Sequence, residues 1–287
     1  MDTGVEAMER RAHEVLDAAF GGGLRYFDAA RSYGRAEAFL ASWLRRREIQ
    51  PRDVVVGSKW GYRYTAGWSV EAEHHEIKEH SLEMLRGQTA ESREHLGEFL
   101  DLYQIHSATL ESGVLDDNKV LAELNEMRTE GIVIGLTTSG PRQADIVRRA
   151  LDAEVDGANP FSCVQATWNL LETSAGPALA EAHEGGWGVI VKEALANGRL
   201  TDRGDAPNGF RDVARPLDIG LDALAIAAAM AQPWADVVLS GAATVDQMGS
   251  NLEALEITVP DGDLDRLMLA AEDPDHYWDK RAALPWN

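Results

Sequence analysis

Apolar residues follow two alternating patterns along this chain. Between residues 6 and 20 they recur every three or four positions, as on one face of an amphipathic helix, and the glycines at 21–23 end that segment. Residues 24–28 then form a short continuous apolar run, which is typical of a buried strand. The pattern therefore predicts a helix followed by a strand.

The same pair of patterns repeats along the rest of the chain. We predict further helices at residues 35–47, in a long stretch that ends near 96, and at 120–130, 141–151, 176–184 and 221–230. The predicted strands are 24–28, 54–60, 100–106, 132–138, 162–168, 187–194 and 236–241. Continuous apolar strands, each preceded by a helix, indicate an α/β fold of the (β/α)8 barrel type. A complete barrel has eight strands, so either the first strand is missing from this sequence or another segment takes its place.

Composition narrows the class of protein further. With 287 residues and 45% hydrophobic content, the chain can bury a core large enough for two small domains or one barrel. The formal charge of −21 would repel a polyanion, so we expect no nucleic-acid binding. The sequence shows neither an apolar run of about 18 residues nor a signal-peptide pattern, so we expect a soluble, cytoplasmic protein. The single cysteine, Cys163, excludes an intrachain disulfide and is expected to be a small buried residue.

The cluster HHEIKEH at residues 74–80 resembles a zinc-protease motif but has the wrong spacing. Its last histidine, His80, lies one position too far from His75 for both rings to share a helix face. We therefore interpret the cluster as the solvated face of a helix, and we predict no metal site.

Four unlike polar residues stand at, or just beyond, the ends of three successive predicted strands. They are Asp28, Tyr33, Lys59 and His106. An enzyme barrel places its chemistry at the carboxyl edge of its strands, so these side chains are expected to meet there. An acid, a phenol, a cation and an imidazole together suit proton transfer. A structural role is the alternative: Asp28 and Lys59 would form a buried ion pair, while the other two residues cap loops.

The local motifs around these residues resemble those of the aldo-keto reductase family. The motifs are FDAARSYG, SKWG and LDLYQIH, followed in the family's order by GLTTSG, VQATWNLLE, VIVKEALANGRL and LSGAATVDQMGSN. The resemblance covers nearly the whole chain, apart from a segment before the first helix. It implies a single barrel domain over residues 1–287, in which the tail 272–287 packs near the substrate side.

The resemblance also implies a reaction. In this family a hydride passes from a reduced nicotinamide to a carbonyl carbon, and the carbonyl oxygen receives a proton. Tyr33 would be the general acid. Lys59, held by Asp28, would ease the loss of the Tyr33 proton. His106 would orient the carbonyl group. We therefore expect an NAD(P)-dependent oxidoreductase that reduces an aldehyde or ketone. Two alternatives are an NAD-dependent aldose 1-dehydrogenase and a nucleotide-binding regulatory subunit with little turnover.

A binding site for the nicotinamide cofactor follows from the same resemblance. Gln247 and Asn251 match the family's adenosine-binding residues, whereas Lys192 stands where the family commonly stacks an aromatic ring. Residues 242–244 lack the Arg or Lys with which many relatives neutralise a 2′-phosphate, yet family grounds favour NADP(H), with NAD(H) as the alternative. The predicted cofactor-binding residues are Thr137, Thr138, Gln165, Lys192, Ser240, Gly241, Gln247 and Asn251.

Aromatic residues mark the expected substrate pocket. Trp60, Tyr62 and Trp278 are predicted to line it, and such rings suit an apolar carbonyl compound or a sugar. The aromatic residues of the tail fit an alternative role equally well, in which they seal the side of the barrel. Arg31 could reach an anionic group of the substrate or lie at the surface. The expected partner is a small-molecule carbonyl compound or sugar, with no membrane; the sequence does not determine the oligomeric state.

Overall fold

The computed structural model describes residues 4–64 and 76–284. They divide into two compact units, one of residues 4–138 and 148–163 and the other of residues 139–147 and 164–284. Helices alternate with parallel strands in both units.

The first unit follows the predicted alternation closely. Ser81 caps the start of helix α3, since its hydroxyl accepts from the Met84 N–H at 3.1 Å, and the carboxylate of Asp117 caps α4 in the same way. The elements are α1 (Val5–Gly21), β1 (Tyr26–Asp28), α2 (Ala36–Arg46), β2 (Val55–Trp60), β3 (Tyr62–Tyr64), β4 (Glu76–Lys78), α3 (Leu82–Leu96), β5 (Leu100–Ala108), α4 (Asn118–Thr129) and β6 (Val133–Thr138).

Strands β1, β2, β5 and β6 lie side by side in that order, and all are parallel. Their register places Asp28 opposite Gly57 and Lys59 opposite Gln104. Strands β2 and β5 are buried over most of their length, as expected for strands covered on both faces. Because the strands are parallel, their carboxyl ends meet at one edge, and that edge carries the predicted polar residues.

Aromatic side chains hold the first two helices of this unit. Trp43 is fully buried, with its ring centroid 5.8 Å from that of Phe20 and 5.1 Å from that of Phe27. Its indole N–H donates to Asp17 at 2.9 Å, so the one polar atom of the side chain is satisfied. Burial of such a side chain contributes roughly 3 kcal/mol and fixes α1 and α2 against β1.

The segment before α3 differs from the prediction. Residues 76–78 form a strand that pairs antiparallel with β3, Tyr62 opposite Lys78, and the helix begins only at Leu82. The charged cluster is therefore not a helix face in its described part; His74 and His75 lie outside the described residues. Helical spacing was the wrong guide because this hairpin depends on cross-strand pairing, which a local pattern does not reveal.

The second unit contains three strands in the order β7, β8, β9, with β8 and β9 parallel. Trp168 is buried and packs edge-on against Trp234. Cys163, the first residue of β7 and the last residue of the first unit, is buried, as predicted. The remaining elements are α5 (Gln143–Leu151), β7 (Cys163–Thr167), α6 (Gly176–Glu184), β8 (Gly188–Lys192), α7 (Asn208–Leu217), α8 (Leu221–Met230), β9 (Val237–Val238), α9 (Val245–Leu252), α10 (Asp261–Met268) and α11 (Pro274–Ala282).

Among residues 4–64 and 76–284, no helix combines the length and the apolar character that a membrane span requires. Within the same ranges, no three His, Cys, Asp or Glu side chains converge as they would around a metal ion.

Candidate active site

A buried ion pair joins the ends of β1 and β2. The side chain of Lys59 is 1% exposed, and its ammonium donates to Asp28 Oδ2 and, at 2.9 Å, to the carbonyl oxygen of Ala29. A buried ammonium is tolerated only when a carboxylate and hydrogen-bond acceptors compensate for the lost water. The structure thus fixes Lys59 as a cation at the carboxyl edge of the sheet.

Tyr33 lies on the loop between β1 and α2, above this ion pair. Half of its surface is exposed, and its ring centroid is 5.3 Å from the Lys59 ammonium. Two backbone hydrogen bonds order the loop, from Arg31 N–H to Lys59 O at 3.0 Å and from Tyr33 N–H to Ala30 O at 3.1 Å. The phenol is therefore held beside a cation while one side of it faces solvent.

His106 completes the group from β5. Its ring centroid is 5.5 Å from that of Tyr33 and 4.9 Å from that of Tyr62, both edge-on, and its Nδ1 lies 3.4 Å from the hydroxyl of Ser32. His80 donates from Nε2 to the His106 carbonyl oxygen at 2.9 Å, and burial lowers the pKa of His80 to about 4, so this donor is uncharged near neutral pH. The first unit thus brings Asp28, Tyr33, Lys59 and His106 together.

Arg31 does not point its charge at an open pocket. Its guanidinium donates to Glu37 and to Glu91, each at 2.5 Å. The Glu37 carboxylate is almost fully buried and also accepts from Ser58 at 2.5 Å and from Ser92 at 2.7 Å. Arg31 therefore ties the Tyr33 loop to α2 and α3.

Thr137 and Thr138 are buried at the end of β6. The Thr137 hydroxyl accepts from the backbone N–H of Ser107, just after His106, at 2.7 Å. One oxygen lone pair of Thr137 is thus used within the protein, while its O–H remains a donor in principle. That Thr137 and Thr138 bind the cofactor stays a prediction.

In the second unit, Gln165 lies in the middle of β7, and Lys192 is the last residue of β8. Gln165 is 2% exposed, and the Lys192 ammonium donates to Thr167 Oγ1 at 2.9 Å and lies 3.7 Å from Glu193 Oε1. Burial opposes ionisation of Glu193, but the charge of Lys192 and hydrogen bonds from Arg281 lower its pKa to about 2. Lys192 therefore stands in a network of fixed charges where the family commonly has a ring.

The loop before α9 has the form of an anion-binding helix start. Gly241, with φ +64, is exposed, and Thr244 caps the helix by accepting from Gln247 N–H at 3.2 Å. The Gln247 carboxamide in turn accepts from Ala243 N–H at 2.9 Å. Ser240, at the start of the loop, is partly exposed. Backbone N–H groups at such a helix start suit a phosphate oxygen.

Asn251 provides the test of whether an adenosine group fits here. Its Nδ2 donates to the Ser240 carbonyl oxygen at 3.0 Å and lies 2.8 Å from the Ser240 hydroxyl. Its Oδ1 is buried and has no hydrogen-bond partner within the described ranges. A buried acceptor without a partner is costly, and the exocyclic amino group of an adenine would satisfy it. These residues therefore fit the nucleotide that the sequence predicts for them.

The three predicted pocket aromatics lie in different settings. Trp60 is fully buried, 5.6 Å from the His80 ring, whereas Tyr62 lies against His106. Trp278 is 9% exposed on α11 and stacks near the Arg281 guanidinium, 5.3 Å away. Their contact with substrate stays a prediction.

Helix α11, in the predicted tail, is fastened to strand ends of the second unit. Tyr277 Oη is 3.0 Å from Asn169 Nδ2, and Arg281 forms a two-pronged ion pair with Glu193, the residue after β8. The packing of the tail near the substrate stays a prediction.

The sequence motifs did not mark several residues that contact this site. Tyr26 donates to Asp28 Oδ1 at 3.0 Å, and Gln104 Nε2 lies 3.5 Å from the same oxygen. His80 holds the His106 backbone, as described above. Tyr26 and Asp28 are two apart on one strand and so share a face, but nothing in the sequence marks the Tyr26 hydroxyl as a partner of Asp28.

Comparison with known proteins agrees with this picture. An uncharacterised oxidoreductase, YqkF of Bacillus subtilis (strain 168), is 22% identical over 286 residues, covering 88% of this chain and 84% of that protein. A D-threo-aldose 1-dehydrogenase from a Pseudomonas species is 26% identical over 289 residues, covering 88% and 85%. The holo form of aldo-keto reductase AKR11C1 from Bacillus halodurans superposes with a TM-score of 0.73 at 21% identity, covering 92% of this chain and 88% of that one.

The structural likeness confirms the predicted fold class, a (β/α)8-type barrel, of which residues 4–64 and 76–284 supply seven parallel strands. The family and its relatives also confirm the predicted enzyme class, an NAD(P)-dependent oxidoreductase. The sequence model described as "Aldo/keto reductase family" matches residues 3–271, and the chain belongs to that family.

Proposed function

We propose that this enzyme reduces an aldehyde or ketone to an alcohol, with Tyr33 as the general acid. The observation that carries the proposal is the Lys59 ammonium, which is held by Asp28 and lies 5.3 Å from the Tyr33 ring centroid. A phenol with an ordinary pKa of about 10 gives up its proton reluctantly near neutrality. A fixed cation stabilises the phenolate and so eases the transfer.

His106 would take the second role. Its imidazole lies edge-on to Tyr33, so a carbonyl oxygen that receives the Tyr33 proton would also be within reach of the His106 ring. A hydrogen bond from that ring stabilises negative charge as it develops on the oxygen. The bond from His80 to the His106 backbone keeps the imidazole in place.

The cofactor, when bound, supplies the hydride that reaches the carbonyl carbon. The resemblance to the family assigns Thr137, Thr138, Gln165 and Lys192 to the binding of the nicotinamide. Ser240, Gly241, Gln247 and Asn251 would hold the nucleotide end. The buried, unpartnered Oδ1 of Asn251 supports this assignment.

Two features of the chain favour different cofactors, one NADP(H) and the other NAD(H). The resemblance to the family favours NADP(H). The charge of the loop favours NAD(H), because residues 240–252 contain no Lys or Arg and Asp246 lies in the first turn of α9. Comparing kcat/KM for NADPH and NADH with one good substrate decides the question.

A second candidate reaction is the oxidation of an aldose at C1. The observation that favours it is the 26% identity to a D-threo-aldose 1-dehydrogenase over most of both chains. The same residues would serve, since a general acid in one direction is a general base in the other. The substrate would be a small carbonyl compound in the first case and a sugar in the second, and rates in both directions with each class distinguish them.

The variant Tyr33→Phe tests the proposed role most simply. A panel of carbonyl compounds and sugars with both cofactors first identifies a substrate of the parent enzyme. Because the variant retains the aromatic ring but has no hydroxyl proton to transfer, we expect turnover to fall by about 1,000-fold or more. Cofactor affinity, measured by fluorescence titration, should change by less than about two-fold. Turnover at the parent rate would refute the role of Tyr33.

A further inference from the structure

The Asp28 carboxylate has two oxygens, and each is bound from a different side. Oδ2 accepts from the Lys59 ammonium. Oδ1 accepts from the hydroxyl of Tyr26 at 3.0 Å, on the same face of β1, and Gln104 Nε2 lies 3.5 Å from it. The orientation of the carboxylate, and with it the position of Lys59, therefore depends on a phenol that the family motifs do not include.

A glycine on the neighbouring strand leaves room for this phenol. Gly57 is opposite Asp28 in the register of β1 and β2. A Cβ at Gly57 would overlap the Tyr26 hydroxyl oxygen and would lie 3.2 Å from Tyr26 Cζ and 3.4 Å from Asp28 Oδ1. Gly57 does not have a positive φ, so its backbone is open to any residue. Its role is to provide space beside Asp28.

The Tyr26 hydroxyl remains a donor at every working pH. Burial, together with the negative charge of Asp28, raises the pKa of Tyr26 well above its ordinary value. The titratable groups that face it are Asp28 on β1 and Cys163 at the start of β7, with Lys59 of β2 bound to the far oxygen of Asp28 and the uncharged Gln104 on β5. A phenol in this setting donates a proton to a hydrogen bond and does not release it.

We propose that Tyr26 is a positioning residue that holds the Asp28–Lys59 pair and thereby sets the acidity of Tyr33, with Gly57 providing the necessary space. The inference rests on the proposed role of Tyr33 as general acid. Its direction follows from charge: the Tyr26 dipole offsets part of the negative charge of Asp28. Without it, Asp28 screens more of the Lys59 cation, and the Tyr33 phenol becomes a weaker acid.

Three variants and one control test the inference. Tyr26→Phe removes the donor, Gly57→Ala displaces it, and the double variant combines the two changes. The control is Tyr103→Phe, which removes the hydroxyl of another fully buried tyrosine, 3.3 Å from Ser92. Loss of folding would affect all buried-tyrosine variants alike, so circular dichroism and urea unfolding are measured for each.

Two readouts are needed, one of which does not depend on turnover. The first is the ionisation of Tyr33, followed by carbon NMR of protein labelled at tyrosine Cζ, with the signal assigned by its loss in Tyr33→Phe. The second is the pH profile of kcat and of KM for a good aldehyde. The phenolate is the wrong form for delivering a proton, so a weaker Tyr33 acid moves the alkaline limb of the profile to higher pH.

In Tyr26→Phe and Gly57→Ala we expect the Tyr33 midpoint to rise by about 0.5 pH units, and kcat to fall about two- to three-fold. KM for the aldehyde should stay within about two-fold, and the double variant should match Tyr26→Phe because the displaced group is already absent. Tyr103→Phe should match the parent in both readouts. If Tyr33 titrates at the parent midpoint in both single variants, or shifts as far in Tyr103→Phe, the inference is wrong. If the parent enzyme reduces no carbonyl compound, the proposed reaction is refuted. The midpoints of the Tyr33 titration, measured by NMR, would still decide the role of Tyr26.

Discussion

Replacing Lys59 by methionine removes the cation beside Tyr33 while keeping a side chain of similar length. The ammonium is 5.3 Å from the Tyr33 ring centroid. If the phenolate charge is placed at the ring centroid, one unit charge at this distance stabilises it by about 3 kcal/mol at the effective dielectric constant of about 20 that suits sites near a protein surface. That energy corresponds to about two pKa units, so the Tyr33 phenol should become about 100-fold less acidic.

The same substitution also destabilises the fold, and the two effects must be separated. Asp28 would keep Tyr26 and Gln104 as partners but lose the ammonium, and breaking a buried ion pair from one side costs about 3 to 5 kcal/mol. The double variant Lys59→Met/Asp28→Asn removes both charges and should recover most of that stability. It should not recover the rate, because the cation is still absent.

The assay compares kcat of the parent, Lys59→Met and the double variant, with urea unfolding of each. We expect kcat to fall by about 100-fold in both variants, with a stability loss only in the single one. Lys119→Met, at an exposed position of α4, is the matched control and should leave both quantities unchanged. If the double variant regains the parent rate, Lys59 matters for folding alone and its assigned role in proton transfer is wrong.

Two further predictions concern the second unit. Asp246→Lys places a cation in the first turn of α9, so KM for NADPH should fall by about ten-fold while KM for NADH changes little; an equal change for both cofactors would contradict the placement of the adenosine end. The pKa of Glu193, lowered to about 2, means that its ionised form stabilises the fold above pH 4.5, and that this contribution is lost as the pH falls toward 2. Arg281→Met should therefore lower the free energy of unfolding by about 1 to 2 kcal/mol at pH 7, and the difference from the parent should close below pH 4.5, as urea titrations at several pH values would show. A difference that is independent of pH would mean that the ion pair is not its source.

Much of the fold was accessible from the sequence because its strands are short, continuous and apolar. Strand β2 was predicted at 54–60 and is observed at Val55–Trp60, and β6 was predicted at 132–138 and is observed at Val133–Thr138. The β3–β4 hairpin was missed because its strands are only three residues long and pair across a long connection. The residues around 76–78 were predicted to be helical, whereas the structure has strand β4 at Glu76–Lys78.

The candidate site was predictable where residue type and strand end coincide, as at Asp28, Lys59 and His106. A tyrosine within a strand, such as Tyr26, has the composition of an ordinary core residue, and only its hydroxyl contact distinguishes it. Gly57 gave no signal either, because the space it provides is filled by a side chain of another strand. Such contacts are set by register, which a single sequence does not specify.

The most direct test of the proposed reaction follows deuterium from the reduced cofactor, labelled at C4 of the nicotinamide, into the product. We expect one deuterium on the carbinol carbon of the alcohol made by the parent enzyme, a proton from solvent on its oxygen, and labelled product from Tyr33→Phe at a rate about 1,000-fold lower or less. A product that carries solvent hydrogen on the carbinol carbon, or labelled product from Tyr33→Phe at the parent rate, would contradict it.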